Sequence, residues 1–310
     1  MIFQTLDDTV STMTIVFLML FITGLMTEMG IFQRLSHLAK PLTSMSHLPA
    51  PAASTFVISL GSTVAANVMI ARLKAEGHLN ERQAFLSAIM NGVPVYIREL
   101  FTYQLAFIVP VLGLFVGGVY AMVAISGGIL RLILVIILGR AYLPADSVSS
   151  LQLVESQEKT NLKDAAIKSL RGQRWIFFRM TALYFIMTFL VLYLNKEGIL
   201  QSLNVLPVAH FFRVPPETVI PITIYVASPK AGITLLGPMI KNGGISETQA
   251  LIVLMLGSLF MLPVYSIRSL MPNYTSVFGM KLGLYLVVVS TGISVLVRLL
   301  VLVVLLMVTA

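Results

Sequence analysis

The 310-residue chain has no cysteine, one tryptophan, four histidines and only 13 acidic residues, and each shortage removes a class of chemistry. Without cysteine there is no disulfide, no thiolate metal site and no cysteine nucleophile. His37, His47, His78 and His210 lie in or near expected loops at no metal-ligand spacing, so they read as surface residues and no metal or cofactor is expected. No HExxH, no GxSxG and no pair of acids inside an apolar run occurs, so the chain is not expected to be an enzyme. Charge itself is scarce. At 11% charged residues the chain has less than half the ~25% of soluble domains.

What is abundant is hydrocarbon. With 57% hydrophobic residues and a mean hydropathy of +0.91, the composition is that of a multi-pass membrane protein. The net charge of +8 does not gather into an aromatic-interleaved patch, so nucleic-acid binding is not expected; basic residues flanking apolar spans set orientation instead. Asp7 and Asp8 precede the first apolar run where a signal peptide would carry Lys or Arg, so that run is expected to remain as a span.

About 20 apolar residues cross a bilayer as a helix. Spans are expected near 10 to 29, 51 to 71, 83 to 106 and 112 to 139, and again near 178 to 195, 217 to 239, 248 to 270 and 281 to 308. The expected fold is an all-α membrane protein of about eight transmembrane helices in two duplicated halves, 1–140 and 178–310. Between them lies the hydrophilic 141–177 connector, whose LKDAAIKSLRGQRWIFFRM reads as a basic, partly amphipathic interfacial helix.

The duplication rests on ordered matches at an offset of 166 to 170. GIFQRL at 30 to 35 meets GILQSL at 198 to 203, and the Pro49 to Pro51 turn meets Pro215 and Pro216. GHLNERQA at 77 to 84 meets GGISETQA at 243 to 250, PVYIREL meets PVYSIRSL, and Arg131 meets Arg298. In NERQ and SETQ, Asn80 and Ser246 read as helix caps with Gln83 and Gln249 completing capping boxes. If 72 to 82 and 140 to 180 share a side, that side holds most Lys and Arg. It is then cytoplasmic, with both termini and the connector, in the cell membrane. Four spans per half make the halves parallel, whereas a re-entrant segment would invert one against the other.

The second span of each half is interrupted. Gly61, Ser62, Thr63 and Asn67 fall at mid-depth in one, and Ser228, Pro229 and Lys230 in the other. Matched breaks of this kind build midplane sites in transporters, and in other bundles they serve only close packing. Pro94, Pro229, Pro263 and Pro272 are the expected helix breakers. Arg98, Glu99, Arg131, Lys230, Arg268 and Arg298 all lie in apolar runs, where a charge costs at least about 2.5–3.5 kcal/mol at the helix centre. Arg131 and Arg298 fall within one or two turns of an expected helix end and are read as snorkelling. Arg98 and Glu99, adjacent on a helix, point about 100° apart and need separate partners. Lys230 takes the place of Val64, and Ser269 that of Glu99. Three basic groups against one acid favour an anionic or zwitterionic polar ligand, with Tyr96, Tyr265 and Asn273 completing the candidate set. A Lys230 to Glu99 ion pair is the structural alternative.

GSTVAANVMIARLKAEG followed by NERQAFLSAIMNGVPVYIREL resembles the Gate, or nucleoside-recognition, domain. That domain occurs in the membrane part of ferrous-iron transporters of the FeoB type, in concentrative nucleoside transporters and in spore maturation proteins. The resemblance covers roughly 50 to 140 and 215 to 305 and is clearest at Gly61, Ser62, Asn67, Pro94, Val95 and Tyr96. The iron transporters carry cysteine at the matching breaks and a soluble GTPase domain; this chain has neither, so metal-ion transport ranks last. The resemblance implies a permease for a small polar solute, nucleoside-type solutes included. The alternative is a non-transporting scaffold or subunit, as a homo-oligomer or with a partner membrane protein.

Overall fold

The computed structural model describes residues 39–144, 161–196 and 216–309, with scattered positions between 6 and 29. The 30–35 and 198–203 match, Pro215, His37, His210 and the 145–160 part of the connector lie outside the described residues, as does much of the first expected span. No strand occurs among the described residues. Glu81–Leu112, Leu114–Tyr142, Glu247–Phe278 and Met280–Val308 are long and apolar enough to cross a membrane. The fold is therefore all-α and of membrane type.

The first set of elements is α1 (Ala39–Met45), α2 (Ala50–Gly61), α3 (Thr63–Ala75), α4 (Glu81–Met90), α5 (Gly92–Glu99), a π-helical stretch Leu100–Ile108, α6 (Val109–Leu112) and α7 (Leu114–Tyr142). After α8 (Leu162–Lys196) the second set is α9 (Val219–Ala227), α10 (Pro229–Lys241), α11 (Glu247–Tyr265), a π-helical stretch Ser266–Leu270, α12 (Met271–Phe278) and α13 (Met280–Thr309). From α2 and from α9 onward the same order runs twice: two short helices split by one residue, a capped helix, a π-helical stretch after Pro-Val-Tyr, and a long helix.

The stretches expected as second spans, 51–71 and 217–239, differ from expectation in being hairpins. A single extended serine reverses the chain in each: Ser62 (φ −146°, ψ 111°) between α2 and α3, and Ser228 (φ −150°, ψ 101°) between α9 and α10. Each serine hydroxyl accepts from the amide three residues on, Ala65 at 3.2 Å and Ala231 at 3.5 Å, so each caps the helix it starts. In a straight helix residues seven apart lie about 10 Å apart along the axis. Here a Cβ on Gly232 would stand 2.6 Å from Tyr225 Cα, so α10 folds directly back on α9. Hydropathy counts apolar residues and is blind to such a reversal.

A second pair of reversals joins the spans. Gly113 (φ 87°, ψ 165°) and Gly279 (φ 80°, ψ 168°) occupy a backbone region open only to glycine. A second glycine four residues later makes the close turn fit, since a Cβ on Gly117 would meet Val109 Cα at 2.6 Å and one on Gly283 would meet Thr275 Cα at 2.7 Å. Both capping boxes form: Asn80 with Gln83 starts α4, and Ser246 with Gln249 starts α11. Each such cap stabilises its helix by about 1 kcal/mol.

Two apolar cores result. One gathers Phe56, Ile70, Ile89 and Met90 with Leu282 and Leu286 of α13; the other gathers Tyr225, Ile233, Leu236 and the Ala250 to Leu256 run with Val116 and Val123 of α7. Val135 of α7 belongs to the first core and Val297 of α13 to the second. Each long helix thus spans both cores, and the two cross between them.

Candidate functional site

Beside that crossing opens a cavity of about 940 Å³. Both hairpin tips reach it, through Thr63, Val64 and Asn67 of α3 and through Ser228, Pro229 and Lys230 at the start of α10. The matched breaks therefore share one chamber. Tyr96, Glu99, Tyr265, Arg268, Ser269 and Asn273 also line it.

The remaining predicted residues stand elsewhere. Gly61, Ser62 and Arg98 do not line the cavity, and neither do Pro94, Pro263 and Pro272. Pro94 lies in the first turn of α5 and Pro272 is the second residue of α12; Pro263 is inside α11, three residues before the π-helical stretch. Only Pro229 sits at a sharp break. Arg98 has a different task from the one expected. Its Nη1 donates to Leu60 O at 3.1 Å and to Gly61 O at 2.8 Å, the terminal carbonyls of α2. A fixed cation there satisfies acceptors that no intrahelical donor can reach and offsets the negative end of the helix dipole. Arg98 thus ties α5 to the first hairpin tip.

Arg268 makes no such bond among the described residues and is exposed to the cavity. Counting from the matched tyrosines explains the difference. Arg98 comes two residues after Tyr96, whereas Glu99 and Arg268 each come three after their tyrosine, and residues three apart share a helix face. The extra residue Ser266 puts Arg268 on the face, counted from its tyrosine, that Glu99 uses.

Arg131 and Arg298, read from the sequence as snorkelling, line the cavity as well. Arg131 is residue 18 of the 29 in α7, and Arg298 is residue 19 of the 30 in α13. Both are about a turn from the helix centre. Arg131 Nη2 donates to Ser290 O at 2.9 Å and to Ser294 Oγ at 3.2 Å, and its guanidinium lies 4.8 Å from the centre of the Tyr96 ring. Arg298 Nη1 donates to Ser294 O at 3.0 Å. The Nε of each arginine is buried with no hydrogen-bond partner, and so are Asn67 Oδ1 and Gln104 Oε1 on the same lining. Unpaired buried polar atoms cost about 1–3 kcal/mol each.

The lining carries Arg131, Arg268, Arg298 and Lys230 against Glu99, four cations to one acid. No ion pair joins Glu99 to Lys230 among the described residues; Lys230 Nζ instead stands 5.7 Å from the centre of the Tyr103 ring. Six of the ten tyrosines line the chamber, and Tyr120 and Tyr225 join hydroxyl to hydroxyl on it. This lining suits a polar molecule with an oxyanion and faces for aromatic stacking. No group of three or more potential metal ligands occurs among the described residues.

The chain is similar to three uncharacterized proteins of Methanocaldococcus jannaschii. One is 26% identical over 291 residues, covering 93% of this chain and 90% of its own length. A second is 23% identical, covering 90% and 91%, and a third is 22% identical, covering 90% and 88%. No family model and no solved structure matches the chain.

Proposed function

We propose that the chain is a secondary permease of the cell membrane for a small polar solute carrying an oxyanion, bound in the chamber between the two hairpin tips. The observation that carries this reading is the shared cavity itself. Breaks from two matched sets of elements meet there, lined by four cations against one acid, with two guanidinium Nε atoms lacking partners. Midplane cavities at the interface of repeats, formed by discontinuous helices, are the usual substrate sites of such permeases. Arg131 and Arg298 would hold the anionic group, Lys230 and Arg268 would approach it from the second half, and the tyrosines would flank the rest of the solute. The resemblance to the Gate domain agrees with this reading and adds nucleosides and their phosphates to the solutes worth trying.

The topology we propose follows from the hairpins. One span from 10–29 or from α8, one re-entrant hairpin and two long helical segments make three crossings per half, an odd number, so duplicated halves would be inverted and not parallel. The positive-inside pattern supports this count. If the 76–80 loop and the connector are cytoplasmic, a re-entrant first hairpin brings Arg34 and Lys40 to the same side, and only Lys196, Arg213 and Lys241 face outward. Six crossings then put both termini outside, opposite to the side expected from eight.

The test is a thermal-stability panel on purified protein with phosphate, malate, glutamate, uridine and uridine monophosphate, followed by counterflow in proteoliposomes with any stabilising compound. An anionic compound should raise the melting temperature, and Arg131→Gln and Lys230→Gln should abolish both the rise and the counterflow. Equal binding and counterflow in both variants would remove the cavity from consideration.

A further inference from the structure

A second, separate groove lies on α8. It has a volume of about 460 Å³ and is walled by Phe17 and Phe21 on one side and by Ile167, Leu170, Phe177 and Phe178 on the other, with Arg171 and Arg174 at its edge. The Phe17 and Phe177 rings pack edge to face at 5.1 Å, and Ser169 Oγ donates to Phe21 O at 3.1 Å, so the two walls are fixed to each other. Phe178 and Ile167 nonetheless remain more than half exposed.

Where this groove sits on the helix decides what it takes. α8 has 35 residues and is about 52 Å long, well beyond the ~30 Å hydrocarbon core. Its charges fall mainly in the first half, Lys163, Asp164, Lys168, Arg171 and Arg174; from Trp175 to Leu194 the one charge is Arg179. The groove therefore straddles the point on α8 where charged sequence gives way to apolar sequence, with Ile167 and Leu170 before the two guanidinium groups and Phe177 and Phe178 beyond them. Both arginines are exposed and no hydrogen bond or ion pair occupies them among the described residues.

We propose that this groove binds an anionic phospholipid, with an acyl chain between the phenylalanines and the headgroup phosphate on Arg171 and Arg174. Guanidinium forks match phosphate oxygens in pairs, and basic pockets beside membrane helices select anionic lipids. A polar peptide would leave the phenylalanine walls unsatisfied, and a free phosphate would have no use for them.

The chain's single tryptophan, Trp175, follows Arg174 directly and gives the experiment its reporter. The protein is reconstituted in vesicles of dibrominated phosphatidylglycerol or dibrominated phosphatidylcholine, and quenching of Trp175 is followed as the two are mixed. The wild type should favour phosphatidylglycerol by roughly 25-fold, about fivefold per arginine. The double variant Arg171→Gln/Arg174→Gln should lose that preference while its quenching in pure phosphatidylcholine stays unchanged, which verifies insertion. The double variant Lys163→Gln/Lys168→Gln removes equal charge from the same helix outside the groove and should keep the preference. Equal quenching by both lipids in the wild type, or equal loss in both double variants, would overturn the proposal.

Discussion

Replacing Arg98 by methionine keeps an unbranched apolar stem and removes the cation that holds the end of α2. Of its two bonds, the one to Leu60 O matters more, because Leu60 is buried whereas Gly61 is exposed and water can replace its partner. A charge-assisted bond contributes about 1.5–3 kcal/mol and the helix-end charge a few tenths more, so the loss is about 2–3 kcal/mol. For a chain of this size that lowers the melting temperature by roughly 3–5 °C in detergent. Arg98→Lys should fall in between, since a lysine offers a point charge without the fork. Arg268→Met is the matched control: exposed and without a bond among the described residues, it should shift stability by less than about 0.5 kcal/mol. A wild-type melting temperature in Arg98→Met, or an equal loss in Arg268→Met, would refute the assignment of these two arginines to different tasks.

Two further outcomes follow from the reversals. Gly117→Ala and Gly283→Ala each drive a Cβ into backbone at 2.6–2.7 Å and should cost about 1–3 kcal/mol, read as a lower melting temperature, whereas Gly118→Ala, which meets nothing within 4 Å, should be close to neutral. Because the chain has no cysteine, single Lys74→Cys, Lys241→Cys and Thr309→Cys variants report sidedness without background. A membrane-impermeant maleimide added outside intact cells should label Lys241→Cys and Thr309→Cys and spare Lys74→Cys, and the reverse pattern would defeat the six-crossing topology.

Much of the architecture is legible locally. Asn80 with Gln83 and Ser246 with Gln249 announce helix starts because a capping box is a contact between neighbours in sequence, and both form. Ser62 and Ser228 are recognisable as breaks, since small residues and proline weaken a helix wherever they stand. What a break does afterwards is set by packing many residues away, so spans are expected where hairpins occur. The surroundings of Arg131 and Arg298 escape the sequence for a similar reason. The helices end at Tyr142 and Thr309, close to the expected ends at 139 and 308, so the position of each arginine, 8 and 10 residues from the expected end, is countable, while its partners across the chamber are not. The face of Arg268 is readable in principle by counting from Tyr265, but aligning Ile-Arg with Ile-Arg hides the extra residue.

α7 and α13 each run through both cores and are joined, like a pair of scissor blades at their rivet, where Arg131 donates to Ser290 O and Ser294 Oγ. A rotation of α7 against α13 about that contact would be smallest there, would grow toward the tips and would shear the packing of both cores. Leu114 lies 17 residues from Arg131, about 26 Å along the helix, so a turn of ~10° would displace it by about 4–5 Å while scarcely disturbing the guanidinium. Such a turn would leave the Arg131 contact, and the part of the chamber beside it, the least displaced.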